Sequence, residues 1–243
     1  LTGTGGAGKS SFCDEIVRRF TNDFPQHRVA VLSVDPTRRR SGVALLGDRI
    51  RMNAIVPGRV FMRSFATRGE KGELNAGIND AVALCKLAGF SLVIVETSGI
   101  GQSDAGIVEV CDVPVYVMTP EFGAPSQLEK IDMLDLAAMV VINKFERRGA
   151  EDALRDVRKQ VRRNREVFTG PDEALPVFGT IASQFADPGV DAAYLQMLRL
   201  VARFAEEPFA SSLPDPGVRA SPPRRRIIPP ARQRYLGEIV DGS

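Results

Sequence analysis

The chain has 243 residues, 26% of them charged and 44% apolar, which is enough for one large domain or two small ones around a buried core and excludes wholesale disorder. Thirty-two Lys and Arg against thirty Asp and Glu leave a net charge of +2, so the chain lacks the basic field expected of a nucleic-acid binder. No apolar run approaches the roughly 18 residues of a spanning helix, and Cys13, Cys85 and Cys111 form no CxxC pair, so neither a membrane partner nor a disulfide framework is expected. A reduced, cytoplasmic compartment fits best. His27 is the only histidine; a zinc site built on several histidines is excluded, and the ring is expected at the surface after Pro25.

In chain order, the first feature is Gly3-Thr4-Gly5-Gly6-Ala7-Gly8-Lys9-Ser10, which fits G-x-x-x-x-G-K-[ST] and leads through Ser11 into a helical pattern over Lys9–Phe20. Gly5, Gly6, Ala7 and Gly8 allow a loop whose N–H groups face phosphate oxygens, and the helix N-terminus adds its positive dipole end. Lys9 is expected to reach the β- and γ-phosphates and Ser10 to offer its hydroxyl to Mg²⁺. Only Leu1 and Thr2 precede the loop, so the strand that should lead into it is expected to be missing and the chain to be a segment of a longer polypeptide.

Short apolar runs then alternate with helical patterns, which predicts an α/β fold: a mostly parallel sheet with helices on both faces, of the P-loop NTPase kind. The expected strands are Val29–Val34, Val60–Met62, Leu92–Val95, Val113–Met118, Met139–Ile142 and Val177–Phe178. Further helices are expected over Ala76–Leu87, Gln127–Leu136, Ala150–Val167 and Asp191–Ala205.

Acids mark the ends of two strands. Glu96 closes Leu92–Val95 and precedes Thr97-Ser98-Gly99-Ile100-Gly101; at the carboxyl end of a parallel strand it sits where ligands collect, suited to holding Mg²⁺ directly or through water. Asp35 closes the run before Pro36, as a metal-shell residue or as an Asx turn. Asp48 and Arg51 lie three apart, for which spacing alone favours a surface ion pair. Asn143-Lys144-Phe145-Glu146 closes another strand, where GTP-binding proteins carry N-K-x-D. Asn helps hold the base and the loop, Lys covers the purine plane, and the acid accepts from guanine's N–H edge, at which adenine offers an acceptor instead. Glu for Asp adds one methylene, about 1.5 Å, and keeps the same acceptor pair.

Beyond Glu206, seven prolines and Arg224, Arg225 and Arg226 crowd a stretch ending at Ser243. Proline fixes φ and removes donors, so residues 207–243 are expected as an extended linker after a 1–206 nucleotide-binding domain, leading to a domain absent from the chain.

Together, GTGGAGKSS, SVDPTRRRSGVALLGDRIRM, VIVETSGIGQSDA, VYVMTPEFGAPSQLEKIDML and VINKFERRGA resemble the G-protein chaperones of adenosylcobalamin-dependent acyl-CoA mutases. TPEFG, SQLEKIDML and IIPPARQRYLGEI are most similar to the branch fused to isobutyryl-CoA mutase. The resemblance implies Mg²⁺-dependent GTP hydrolysis coupled to loading and protecting the mutase's adenosylcobalamin. It implies partner cobalamin-binding and catalytic domains in the same polypeptide, the parent being expected as a homodimer. It makes Ser10, Asp35, Asp48 and Glu96 magnesium-site residues, with the Val34 carbonyl and Thr97 beside them. Arg51 becomes a nucleotide contact, and Lys130 a candidate partner-sensing group in a switch loop at Gln127–Lys130. No Gln directly follows Gly99, which implies slow hydrolysis in isolation.

Three other readings stay open at this point. A P-loop kinase would transfer the γ-phosphate to a small acceptor, and a nucleotide-ordered interaction module would leave GTP intact. A metallochaperone ATPase would need a Cys/His metal site, which the sequence does not display.

Overall fold

A computed structural model describes residues 1–35, 52–66, 71–97, 108–129, 131–167, 169–205 and 209–222. The apolar runs become strands because a parallel ladder buries them from both faces: β1 (Thr2–Gly3), β2 (Val29–Asp35), β3 (Val60–Ala66), β4 (Leu92–Thr97), β5 (Val115–Met118), β6 (Met139–Asn143) and β7 (Val177–Thr180). Every ladder is parallel, in the orders β3-β2-β4 and β1-β5-β6-β7. Leu1 joins the two groups. Its amine donates to the Val95 carbonyl at 2.6 Å, and the Thr97 N–H donates to the Leu1 carbonyl at 3.0 Å. The strand leading into the loop is β1, and it lies between β4 and β5. Next to it, the two flanking strands border an apolar cavity of about 220 Å³ lined by Leu1, Phe12, Val93, Val95, Val115 and Met197.

The helices are α1 (Lys9–Asp23), α2 (Lys71–Leu87), α3 (Pro125–Leu128), α4 (Met133–Leu136), α5 (Ala150–Asn164) and α6 (Pro188–Val201). Side chains alternate across the sheet. Val29, Val31, Val117, Val141 and Phe178 share a core with α1 and α6. Tyr116, Met118, Val140, Ile142 and Val177 share one with α5, and Ala30, Leu32 and Val34 pack with Ile78 and Cys85 of α2. Helices cover both faces, as the continuous apolar runs require. At the C-terminus of α1, the Arg59 guanidinium donates to the carbonyls of Thr21 at 2.8 Å and Phe24 at 2.9 Å, satisfying groups that a helix end leaves open.

Three expectations change. The single helix over Gln127–Leu136 is instead two one-turn pieces, α3 and α4, because Leu128, Met133 and Leu134 all enter the same core while Leu136 stays exposed, a set no straight helix stripe delivers. His27 is half-buried, its ring edge-on to Phe24 and Phe209 at centroid distances of 5.8 and 5.5 Å. Residues 209–222 stay extended, as their prolines demand, but lie against the domain. Phe209 packs 5.3 Å from Phe20, the Asp23 carboxylate accepts from Ser211 and from both the N–H and hydroxyl of Ser212, and Ala220 forms a parallel bridge with Gly179. No helix among the described residues is long and apolar enough to cross a membrane.

Candidate nucleotide site

The carboxyl ends of β1, β2, β4 and β6 converge at one edge of the sheet, where open α/β folds bind ligands. The loop from β1 to α1 gets its shape from glycine. Gly6 and Gly8 have φ of 72° and 80°, conformations costly for other residues. A Cβ on Gly8 would lie 2.5 Å from the Asn143 amide nitrogen, and one on Gly3 would lie 1.7 Å from the Val117 carbonyl oxygen. The loop is therefore pressed against β5 and β6 with no room for a side chain at either point.

Within it, the Lys9 ammonium donates to the Gly3 and Thr4 carbonyls, each at 3.0 Å, so a buried positive charge spans the loop. The N–H groups of Gly5, Gly6 and Gly8 make no hydrogen bond among the described residues, and the buried Thr4 hydroxyl has no partner among them. Orphaned donors around a buried ammonium fit a multiply charged anion such as a polyphosphate. Ser10 Oγ donates to Glu96 Oε1 at 2.6 Å, joining two hard oxygen groups of the kind that suits Mg²⁺. Glu96 is buried. Burial first, and the Glu96 charge second, push the Cys13 thiol above its usual range, which makes it an inert core residue. Register brings two further expected residues together: Val34 pairs with Thr97. The Thr97 hydroxyl donates to Thr2 Oγ at 2.8 Å, so it also clamps β1 to β4. The Asp35 side chain, Asp48, Arg51, Lys130 and residues 98–107 lie outside the described residues.

The base side is held by side chains. Asn143, buried at the end of β6, donates from Nδ2 to the Ala7 carbonyl at 2.8 Å; its Oδ1 accepts from Thr180 Oγ at 3.2 Å and the Ala182 N–H at 3.0 Å. One amide therefore ties the phosphate loop, the base segment and the turn after β7 together. Lys144 adopts φ 59°, a left-handed conformation that costs a non-glycine residue about 1 kcal/mol or more. The turn it makes is closed by the Arg147 N–H donating to the Lys144 carbonyl at 3.0 Å and anchored by the Phe145 N–H donating to Thr180 at 3.0 Å. Phe145 is buried beneath, and Glu146 is exposed at the rim, free to offer its carboxylate to a planar edge. Ser11, the third residue of α1, is exposed at the helix N-terminus. Thr180, Ile181, Ala182 and Asp187 were not singled out from the sequence; the one sequence signal for them is their place between the end of the last strand, at Thr180, and the start of the last helix, at Pro188.

Comparisons with known proteins place the chain in a family. A family model described as "Methylmalonyl Co-A mutase-associated GTPase MeaB" matches residues 1–194. A fused isobutyryl-CoA mutase of Geobacillus kaustophilus is 54% identical over 241 residues, 99% of this chain and 22% of that protein. One from Nocardia farcinica is 57% identical over 242 residues, again 99% of this chain and 22% of the other. The chain thus spans about a fifth of the length of the curated relatives it matches. Among solved structures, a LAO/AO transport system kinase superposes with a TM-score of 0.55 at 24% identity, covering 83% of this chain and 58% of that one, a likeness of fold. With four-fifths of its length matched by one family model, the chain belongs to the methylmalonyl-CoA mutase-associated GTPase family, MeaB.

Proposed function

We propose that this chain binds and hydrolyses GTP with Mg²⁺, and that hydrolysis is coupled to loading and protecting adenosylcobalamin in an isobutyryl-CoA mutase of which it forms one domain, in a cytoplasmic setting. The observation that carries this reading is the 2.6 Å contact between Ser10 and Glu96, which joins the phosphate loop to the strand-end acid.

In this reading the loop N–H groups of residues 5–10 cradle the phosphates. Lys9 spreads positive charge over the β- and γ-oxygens, where negative charge shifts during transfer to water. Ser10 and Glu96 hold the metal, with Asp35 and Asp48 completing its shell and the Val34 carbonyl and Thr97 beside it. Bound Mg²⁺ supplies charge neutralisation to the phosphate oxygens. Asn143 keeps the base segment registered on the phosphate loop, Lys144 and Phe145 support the purine, and Glu146 accepts from guanine's N–H edge; Arg51 adds a nucleotide contact. Because no Gln directly follows Gly99, water positioning is left to groups that a partner orders, Lys130 being the candidate for sensing that partner, and a partner is expected to raise the rate by about 10³–10⁵.

The test is phosphate release from GTP by the purified chain, with and without Mg²⁺ and with and without the mutase and cobalamin-binding domains. Slow, metal-dependent release that the added domains accelerate is the expected result. Intact GTP after prolonged incubation under all conditions would leave an interaction module. Transfer of the phosphate to an acceptor would make the protein a kinase.

A further inference from the structure

Asp187 is fully buried and makes more bonds than its place in the fold requires. As N-cap of α6 its Oδ2 accepts from the Val190 N–H at 2.9 Å, the usual capping bond. The same oxygen accepts from the Ile181 N–H at 3.1 Å and the Ser221 hydroxyl at 2.7 Å, while Oδ1 has no hydrogen-bond partner among the described residues. Ile181 stands next to Ala182, whose N–H holds Asn143 Oδ1. Ser221 belongs to the extended strap of residues 209–222.

That strap is locked to β7 by backbone. The Gly179 N–H donates to the Arg219 carbonyl and the Ser221 N–H to the Gly179 carbonyl, both at 3.0 Å, and the Arg219 guanidinium lies over the Phe178 ring at 5.6 Å. Packing leaves no slack. A Cβ on Gly179 would sit 2.5 Å from the Phe145 ring on one side and 2.9 Å from Ala220 Cβ on the other. A Cβ on Gly189 would sit 2.1 Å from the Gly179 carbonyl oxygen and 2.5 Å from Ser221 Oγ. Strap, β7, the first turn of α6 and Phe145 form one close-packed stack, and close-packed interiors transmit displacement instead of absorbing it.

We infer that Asp187 and Ser221 are positioning residues for base recognition: they fix the turn that aims Asn143 and the bed under Phe145, so residues 219–221 set how well the site reads guanine. The inference rests on the proposed role of Asn143–Glu146. By linkage, nucleotide binding in turn tightens the strap.

The test uses the whole 243-residue chain and measures affinity for GTP and for ITP, which lacks the amino group on the base edge, by competition against a fluorescent guanine nucleotide. Ser221→Ala removes the hydroxyl's contacts with Asp187 Oδ2 at 2.7 Å and the Gly179 carbonyl at 3.2 Å and leaves the backbone bridge. It is expected to lower the GTP-over-ITP preference by about three- to tenfold, with inorganic triphosphate affinity unchanged. Asp187→Asn, which alters the acceptor without changing volume, should lower the preference in the same direction. A preference unchanged in Ser221→Ala, even with a lower melting temperature, would reduce the strap to a structural tie and overturn the inference. A wild-type chain that does not distinguish GTP from ITP would instead overturn the base-reading role, and the strap's role with it.

Discussion

The two halves of the proposed nucleotide site are built by different means. On the phosphate side the working parts are backbone: left-handed Gly6 and Gly8, N–H donors without a hydrogen bond among the described residues, and few side chains, chiefly Lys9 and the Ser10–Glu96 pair. On the base side the parts are side chains cross-linked over long range, with Asn143 reaching Ala7, Thr180 and Ala182, and with Asp187 and Ser221 behind them. A backbone cradle tolerates few substitutions but needs few partners, whereas a side-chain network depends on every member being satisfied. Changes on the phosphate side should therefore strike turnover, and changes on the base side should strike affinity, selectivity and stability together.

That contrast can be broken in several places. The largest effect is expected from Glu96→Gln, which keeps an acceptor for Ser10 but removes the charge. Turnover should fall by on the order of 10²–10³-fold with little loss of GDP affinity, read from single-turnover hydrolysis and equilibrium binding. Asn143→Ala should behave oppositely. It leaves the Ala7 carbonyl and the Ala182 N–H without their partner, costs about 2–3 kcal/mol of stability, and weakens GTP and GDP by the same factor. If it discriminates strongly between the two nucleotides, the division between the halves is wrong.

The smallest effect concerns the strap's outer anchor. Burial alone would raise the Asp23 carboxyl, but bonds from Ser211, Ser212 and Tyr194 outweigh it and hold the group below 3.8. Because the folded value is the lower one, this contribution is present above the unfolded value near 3.8 and is lost as pH falls through the folded value. Melts between pH 7 and pH 3 should show Asp23→Asn less acid-sensitive than wild type by a small margin.

The same contrast explains what the sequence displays. Residues 3–10 and 143–146 form contiguous motifs, since a loop that wraps phosphate or a turn that presents a carboxylate is a local conformation. Parallel strands show as continuous apolar runs because both faces are buried, and all six expected runs became strands. The break between α3 and α4 was hidden because it depends on which side chains α5 and β5 accept, and local periodicity does not encode that. Phe209 beside His27, and Ser221 beneath Asp187, bring together residues 182 and 34 positions apart, and nothing in a proline-rich composition indicates that such a segment folds back onto the domain. Thr180 and Ala182 carry no motif because their contribution is a turn and one hydroxyl.

The most direct test of the account is a competition titration of GTP against ATP with Mg²⁺ on this chain. A site in which Glu146 accepts from guanine's edge and Asn143 holds it in register predicts a preference for GTP of at least about 10²-fold. Equal affinity for the two, or a preference for ATP, would contradict it.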